Sequence, residues 1–139
     1  MSKQHFTSVK HKQGMAFEAD INGFKIQMDV ASDTHTPEAP SPKPFMLAAL
    51  AGCTGVDIVS ILDKMRVTYS DLTIDTTAQL SEGNPSIYES ATVIYSIRLA
   101  EADRDKMDKA VKLSIEKYCG VWAMFQTFCQ LSYEIRFTD

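Results

Sequence analysis

The run from Phe45 to Val56 is almost wholly apolar, and it is the feature that most constrains how this chain folds. A segment with proline at every second position precedes it. That segment cannot be helical, because proline lacks an amide proton and disfavours the helical basin in the residue before it. Leucine, alanine and methionine in the apolar run are strong helix formers. We therefore predict a helix over residues 44–66, with Pro44 in its first turn.

A helix that is apolar on every side for three turns is expected to be buried on every side. Asp57 and Asp63 interrupt the run, whereas a membrane span needs about 20 apolar residues without charges, so we expect a core helix and no membrane partner. Gly52 and Gly55 flank Cys53, and each costs about 1 kcal/mol relative to alanine inside a helix. Such glycines usually provide close packing or a bend, which directs attention to Cys53.

The composition predicts an ordinary soluble domain. A chain of 139 residues suggests one domain, residues 1–139, with its own core. The net charge of −4 gives no basic surface for nucleic acid. Three widely separated cysteines are not a secreted disulfide framework, and the isolated histidines have no metal-binding spacing. We therefore expect no metal site. The N-terminal residues lack the apolar core of a secretory signal, so we expect a cytoplasmic protein.

Polar and apolar residues alternate with period two on both sides of the apolar helix. Segments 15–21 and 24–30 alternate in this way around Asn22-Gly23, the strongest short hairpin signal. Further strands are predicted at 72–80, 91–99 and 131–137, with a weak one at 3–9, and an amphipathic helix is predicted at 107–118. This order predicts an α+β fold with largely antiparallel sheets.

Cys53 and Cys119 are the candidates for chemistry. A cysteine is a nucleophile only as the thiolate, which a helix N-terminus or a cation favours. Cys119-Gly120 ends the periodic run of the second helix, so Cys119 is expected in the first turn of a short third helix, where the dipole favours a thiolate. Taken singly, a cysteine on an apolar face is more often a small core residue. Cys129, in an aromatic run, is expected in the core.

Segment 42–59, Pro-Lys-Pro-Phe-Met-Leu-Ala-Ala-Leu-Ala-Gly-Cys-Thr-Gly-Val-Asp-Ile-Val, resembles the OsmC/Ohr family, and more closely its OsmC-like branch with an Ala-Gly-Cys-Thr-Gly pattern. The family's second signature, a cysteine just after a helix, is matched by Glu-Lys-Tyr-Cys-Gly-Val at 116–121. The predicted order of elements also fits the family along nearly the whole chain. The resemblance implies an intertwined homodimer, in which sheets from both subunits enclose two long, buried central helices.

The resemblance also implies an activity. Characterised members of the family reduce organic hydroperoxides and hydrogen peroxide with two cysteines, at the expense of dithiols and without a metal or flavin. By position, Cys53 matches the peroxidatic cysteine and Cys119 the resolving cysteine. The implied partners are therefore a small-molecule peroxide, a dithiol reductant and a second copy of the chain.

Two positions of the family's active pattern differ in this chain. The family's glutamate falls nine residues before Cys53 (53 − 44), where this chain has Pro44, and no arginine precedes Arg66 in the loop that carries one in active members. Lys43 and Glu38 are the nearby charges. These differences keep open a second class of function, a non-enzymatic member that binds a small apolar ligand or senses oxidation. A third reading gives both cysteines purely structural roles.

Overall fold

In a computed structural model, which describes residues 3–139, the chain forms two three-stranded sheets and three α-helices. The first sheet contains, in spatial order, β1 (Thr7–His11), β2 (Phe17–Ile21) and β3 (Phe24–Met28). The second contains β4 (Tyr69–Leu80), β5 (Tyr88–Leu99) and β6 (Gln130–Phe137). The helices are α1 (Pro44–Lys64), α2 (Arg104–Leu113) and α3 (Gly120–Gln126), with a 3₁₀ turn at Glu101–Asp103 and a π-turn at Ser114–Tyr118. The predicted α+β fold class is confirmed.

The chain divides into two compact units, of which the first ends at Met46 and contains the first sheet. Its β2–β3 hairpin turns at Asn22 (φ 53°) and Gly23 (φ 88°), the two positive φ angles that a type I′ turn requires. The Asp20 carboxylate accepts hydrogen bonds from the Gly23 amide at 2.8 Å and from the Lys25 ammonium at 2.6 Å. The hairpin predicted from Asn22-Gly23 is therefore confirmed.

The second unit, Leu47–Asp139, contains the second sheet, and one of its strand pairings was not predicted. β4 and β5 are antiparallel, as expected for a hairpin, but β6 runs parallel to β5, from Ser90 opposite Gln130 to Ile97 opposite Phe137. The segment between β5 and β6 contains α2 and α3. Such a helical crossover returns the chain to the starting end of β5, so β6 enters parallel to it.

The expectation that α1 is buried on every side is wrong within one chain. Its buried residues fall at a spacing of four, on a single stripe: Leu50, Thr54, Ile58 and Leu62. The other side is open, and Val56 is 71% exposed. The physical reason is geometric, because one chain of this size covers only one side of so long a helix.

The stripe of α1 belongs to the hydrophobic core of the second unit. The core also contains residues from β5, α2 and α3, among them Val93, Tyr95, Ile97, Met107, Ala110, Val111, Trp122 and Phe125. Among residues 3–139, α1 is the one helix that is long and apolar enough to cross a membrane. Of its most apolar stretch of 18 residues, 22% is buried inside the protein. Length and composition alone are weak evidence for a span, since core helices of soluble proteins pass the same test.

α1 continues without interruption through both glycines that flank Cys53. A Cβ atom added at Gly55 would lie 3.0 Å from Cδ1 of Ile74 on β4, which is tighter than ordinary contact. A Cβ atom added at Gly52 would have no neighbour within 4 Å in this chain. Close approach of the helix to β4 therefore accounts for Gly55.

We predict that Ile58→Ala destabilises the protein by about 2–5 kcal/mol, because it leaves a cavity in a site with no exposed surface. Ile87→Ala is the matched control, since the Ile87 side chain is 45% exposed and its loss should cost less than about 1 kcal/mol. Urea denaturation at one fixed protein concentration measures both values. Equal costs for the two variants would contradict the assignment of the buried stripe.

Candidate functional site

The site contains two cysteines that lie 66 residues apart in the sequence (119 − 53). Cys53 lies in the middle of α1, is half-buried and packs against the core. Cys119 lies between the π-turn and α3 and is only 4% exposed. It is the N-cap residue of α3 rather than part of its first turn, where the sequence predicted it.

Cys53 lies close enough to Cys119 to raise the pKa of the Cys119 thiol, and both cysteines are free. The structure therefore brings together the two residues that the sequence singled out. Their redox roles stay a prediction at this point.

Burial raises the pKa of the Cys119 thiol to about 11. The neighbouring Cys53 side chain and the charge of Asp57 act in the same direction. The Trp122 amide, which donates to the Cys119 sulfur at 3.3 Å, acts in the opposite direction. The expectation that a helix dipole favours the Cys119 thiolate is therefore wrong, because α3 is short and desolvation of the sulfur outweighs it.

Cys129 is buried in the core, as the sequence predicted. Its amide donates to the Phe125 carbonyl at 2.8 Å, just after α3. Burial raises the pKa of the Cys129 thiol. This environment is typical of a structural cysteine.

A polar network beside the cysteine pair was not predicted from the sequence. The Thr54 hydroxyl is hydrogen-bonded to the Tyr95 hydroxyl at 2.9 Å and to the Ser114 hydroxyl at 2.7 Å. The Ser114 hydroxyl donates to the Asp57 carboxylate at 2.8 Å. Burial raises the pKa of Tyr95 to about 12. One partial signal was present in the sequence, since Thr54 and Asp57 follow Cys53 by one and four residues and so lie near it on α1.

Two cavities border α1 within the second unit. One, of about 560 Å³, is lined by Asp57, Ser60, Ile61, Lys64, Met65, Leu113 and Tyr118. The other is an open groove of about 770 Å³ between α1 and β4, lined by Ala51, Gly52, Gly55, Val56, Val59, Ser60, Asp63, Leu72 and Ile74. The described part of the chain, residues 3–139, contains no group of three or more His, Cys, Asp or Glu residues that could hold a metal ion.

Comparisons with known proteins agree on one family. Residues 32–134 match the family model described as OsmC-like protein. The chain is 32% identical over 130 residues to protein YhfA of Escherichia coli K12, covering 91% of this chain and 95% of YhfA.

Two solved structures illustrate the likeness of fold. The OsmC-like protein of Mycoplasma pneumoniae is 16% identical, with a TM-score of 0.80 and full coverage of both chains. The organic hydroperoxide resistance protein OhrB of Bacillus subtilis is 14% identical, with a TM-score of 0.64 and coverage of 96% of this chain and 98% of OhrB. At these identities the likeness concerns the fold alone.

We predict that stability falls between about pH 10 and pH 12 through Tyr95. The unfolded phenol ionises near pH 10, whereas the buried folded phenol keeps its proton to about pH 12. The stabilising contribution is complete below pH 10 and is lost as the pH rises through 12, at a cost of roughly 2–3 kcal/mol. Chemical denaturation of the wild type and of Tyr95→Phe at each pH measures this contribution. The contributions of the other titrating groups cancel in the difference between the two free energies of unfolding. A difference independent of pH from 9 to 12 would contradict the assignment.

Proposed function

Because this chain belongs to the OsmC-like family, we propose that it is a cysteine-based peroxidase, which reduces organic hydroperoxides or hydrogen peroxide at the expense of a dithiol. The observation that carries the proposal is the proximity of Cys53 and Cys119, two free cysteines close enough for the first to raise the pKa of the second. The fold likeness to organic hydroperoxide resistance proteins supports the broader role in peroxide-related stress.

Cys53 is the proposed nucleophile. Cys53 is the more exposed residue of the pair, and the raised pKa of Cys119 keeps a proton on the second sulfur. The Cys53 thiolate attacks one peroxide oxygen, so an S–O bond forms as the O–O bond breaks. The leaving oxygen takes up a proton and departs as an alcohol or as water. The product is a sulfenic acid on Cys53, the reversible first step of thiol oxidation.

Cys119 is the proposed resolving residue. Its sulfur attacks the Cys53 sulfur and loses its proton, the S–S bond forms, and the hydroxyl of the sulfenic acid leaves as water. A thiol with a pKa near 11 is seldom ionised at neutral pH, but the proximity of the two cysteines compensates through a high effective concentration. An external dithiol then reduces the disulfide by exchange and is itself oxidised to a disulfide.

The proposed turnover is slow. Pro44 stands where active members have a glutamate, and the arginine of their preceding loop has no counterpart before Arg66. Asp57 adds negative charge beside the pair, and this charge disfavours a thiolate at Cys119. A redox sensor is the second candidate function, favoured by the same missing residues. It would be oxidised once by peroxide, with little catalytic turnover.

We also propose that the protein is a homodimer and that it acts in the cytoplasm. The open side of α1 presents apolar residues along the 770 Å³ groove, Val56 and Val59 among them. A second copy that covered this side would form an interface of obligate-dimer size, roughly 2,000 Å² or more in total. Free thiols held close together suit a reducing compartment.

We predict that Cys53→Ser abolishes peroxide consumption, because it removes the attacking sulfur. The rate should fall at least about tenfold. Cys129→Ala is the matched control and should retain most of the wild-type rate, since Cys129 belongs to the core. Consumption of cumene hydroperoxide with dithiothreitol as reductant measures all three proteins. Equal rates for wild type and Cys53→Ser would reject the enzyme. A wild type that is oxidised once but does not turn over would favour the sensor.

We predict that Val56→Asp lowers the mass in sedimentation from that of a dimer to that of one chain. A charge on this apolar surface must be desolvated when a partner covers it. Leu80→Asp, at the exposed end of β4, is the control and should leave the dimer intact. A wild type that sediments as a stable monomer would contradict the dimer.

A further inference from the structure

Three hydroxyl groups and one carboxylate link the helix that carries Cys53 to the turn that carries Cys119. The hydrogen bonds run from Tyr95 through Thr54 and Ser114 to Asp57. The three hydroxyl-bearing residues are fully buried. A buried hydroxyl without partners is costly, so these contacts restrict how the surrounding elements can move.

The direction of the hydrogen bonds follows from the number of protons. The Ser114 hydroxyl donates its one proton to the Asp57 carboxylate, so its oxygen must accept the proton of Thr54. Thr54 has then used its own proton, and its oxygen accepts from the Tyr95 hydroxyl. Each proton has one assigned acceptor. The network therefore favours one arrangement of its side chains.

Ser114 is the member of the network that contacts both cysteine-bearing segments. Its side chain binds Thr54 and Asp57, which follow Cys53 on α1 by one and four residues. Its carbonyl accepts the amide proton of Cys119 at 2.7 Å, across the five-residue step of the π-turn. Single π-turns inside helices are frequently found at functional sites.

We propose that Ser114 is a positioning residue, which keeps Cys119 close to Cys53 through its hydroxyl bonds to α1 and its carbonyl bond to Cys119. The inference rests on the proposed function, in which the two cysteines form a disulfide after peroxide attack. The proximity of the two thiols does not depend on that function and can be measured without peroxide.

The test is the equilibrium between the reduced protein and glutathione disulfide. The two protein thiols are oxidised to the Cys53–Cys119 disulfide, and one glutathione disulfide is reduced to two glutathione molecules. The equilibrium constant gives the effective concentration of one thiol at the other. We expect Ser114→Ala to lower it about tenfold, because Cys119 is no longer tied to α1.

Ser132→Ala is the matched control. It also removes a serine hydroxyl that is bonded to a threonine, here Thr92 at 2.8 Å between β5 and β6. We expect its effective concentration to stay within about twofold of the wild type, since this bond ties neither cysteine. Denaturation midpoints of both variants, measured in parallel, report the general loss of stability separately.

Asp57→Ala tests the network from its other end and serves if Ser114→Ala does not fold. It removes the acceptor that orients Ser114. It also removes a charge that raises the pKa of Cys119, and this second effect alone would favour the Cys119 thiolate and speed closure of the disulfide. A fall in effective concentration and in closure rate would therefore reflect lost positioning rather than lost charge.

The outcomes separate this inference from the proposed function. Effective concentrations within twofold of the wild type for both Ser114→Ala and Asp57→Ala would overturn the positioning role, even if their denaturation midpoints fall. A wild type that consumes no peroxide, together with the expected fall in the variants, would reject the peroxidase and support the positioning role. Peroxide turnover by the wild type, together with unchanged effective concentrations in both variants, would support the peroxidase and reject the positioning role.

Discussion

The proximity of Cys53 and Cys119 is the feature on which the functional account depends, and burial of one stripe of α1 makes it possible. That stripe holds the helix in the core of the second unit. Cys53 precedes Thr54, a member of the stripe, and is only half-buried. The π-turn after α2 then brings Cys119 to the same place from the other side.

The two sulfurs lie in different environments, and this difference supports two roles. Cys119 is almost fully buried, and its thiol has a pKa near 11. Cys53 is partly exposed on a helix that borders an open apolar groove. In the proposed reaction, a peroxide would approach Cys53 while Cys119 keeps its proton. Thr54, Ser114 and the hydroxyl network connect the segments that carry them.

Local patterns predicted what depends on local physics. Period-two alternation and Asn22-Gly23 predicted the first hairpin, and the proline-to-apolar transition predicted the start of α1 at Pro44. Three features depend on long-range packing and had no local signal. They are the parallel pairing of β6, the network around Ser114, and desolvation at Cys119, which outweighs the helix dipole. The resemblance to a family brought the two cysteines into one hypothesis, which their separate contexts did not.

The most direct test is to add one equivalent of hydrogen peroxide to the fully reduced protein and to map its cysteines by mass spectrometry. The account predicts that two thiols are lost per chain, that a disulfide joins the peptides containing Cys53 and Cys119, and that Cys129 stays reduced. In Cys119→Ser, a 1,3-dione probe should instead trap a sulfenic acid on Cys53. A wild type in which Cys53 stays reduced, or in which Cys129 forms the disulfide, would contradict the account.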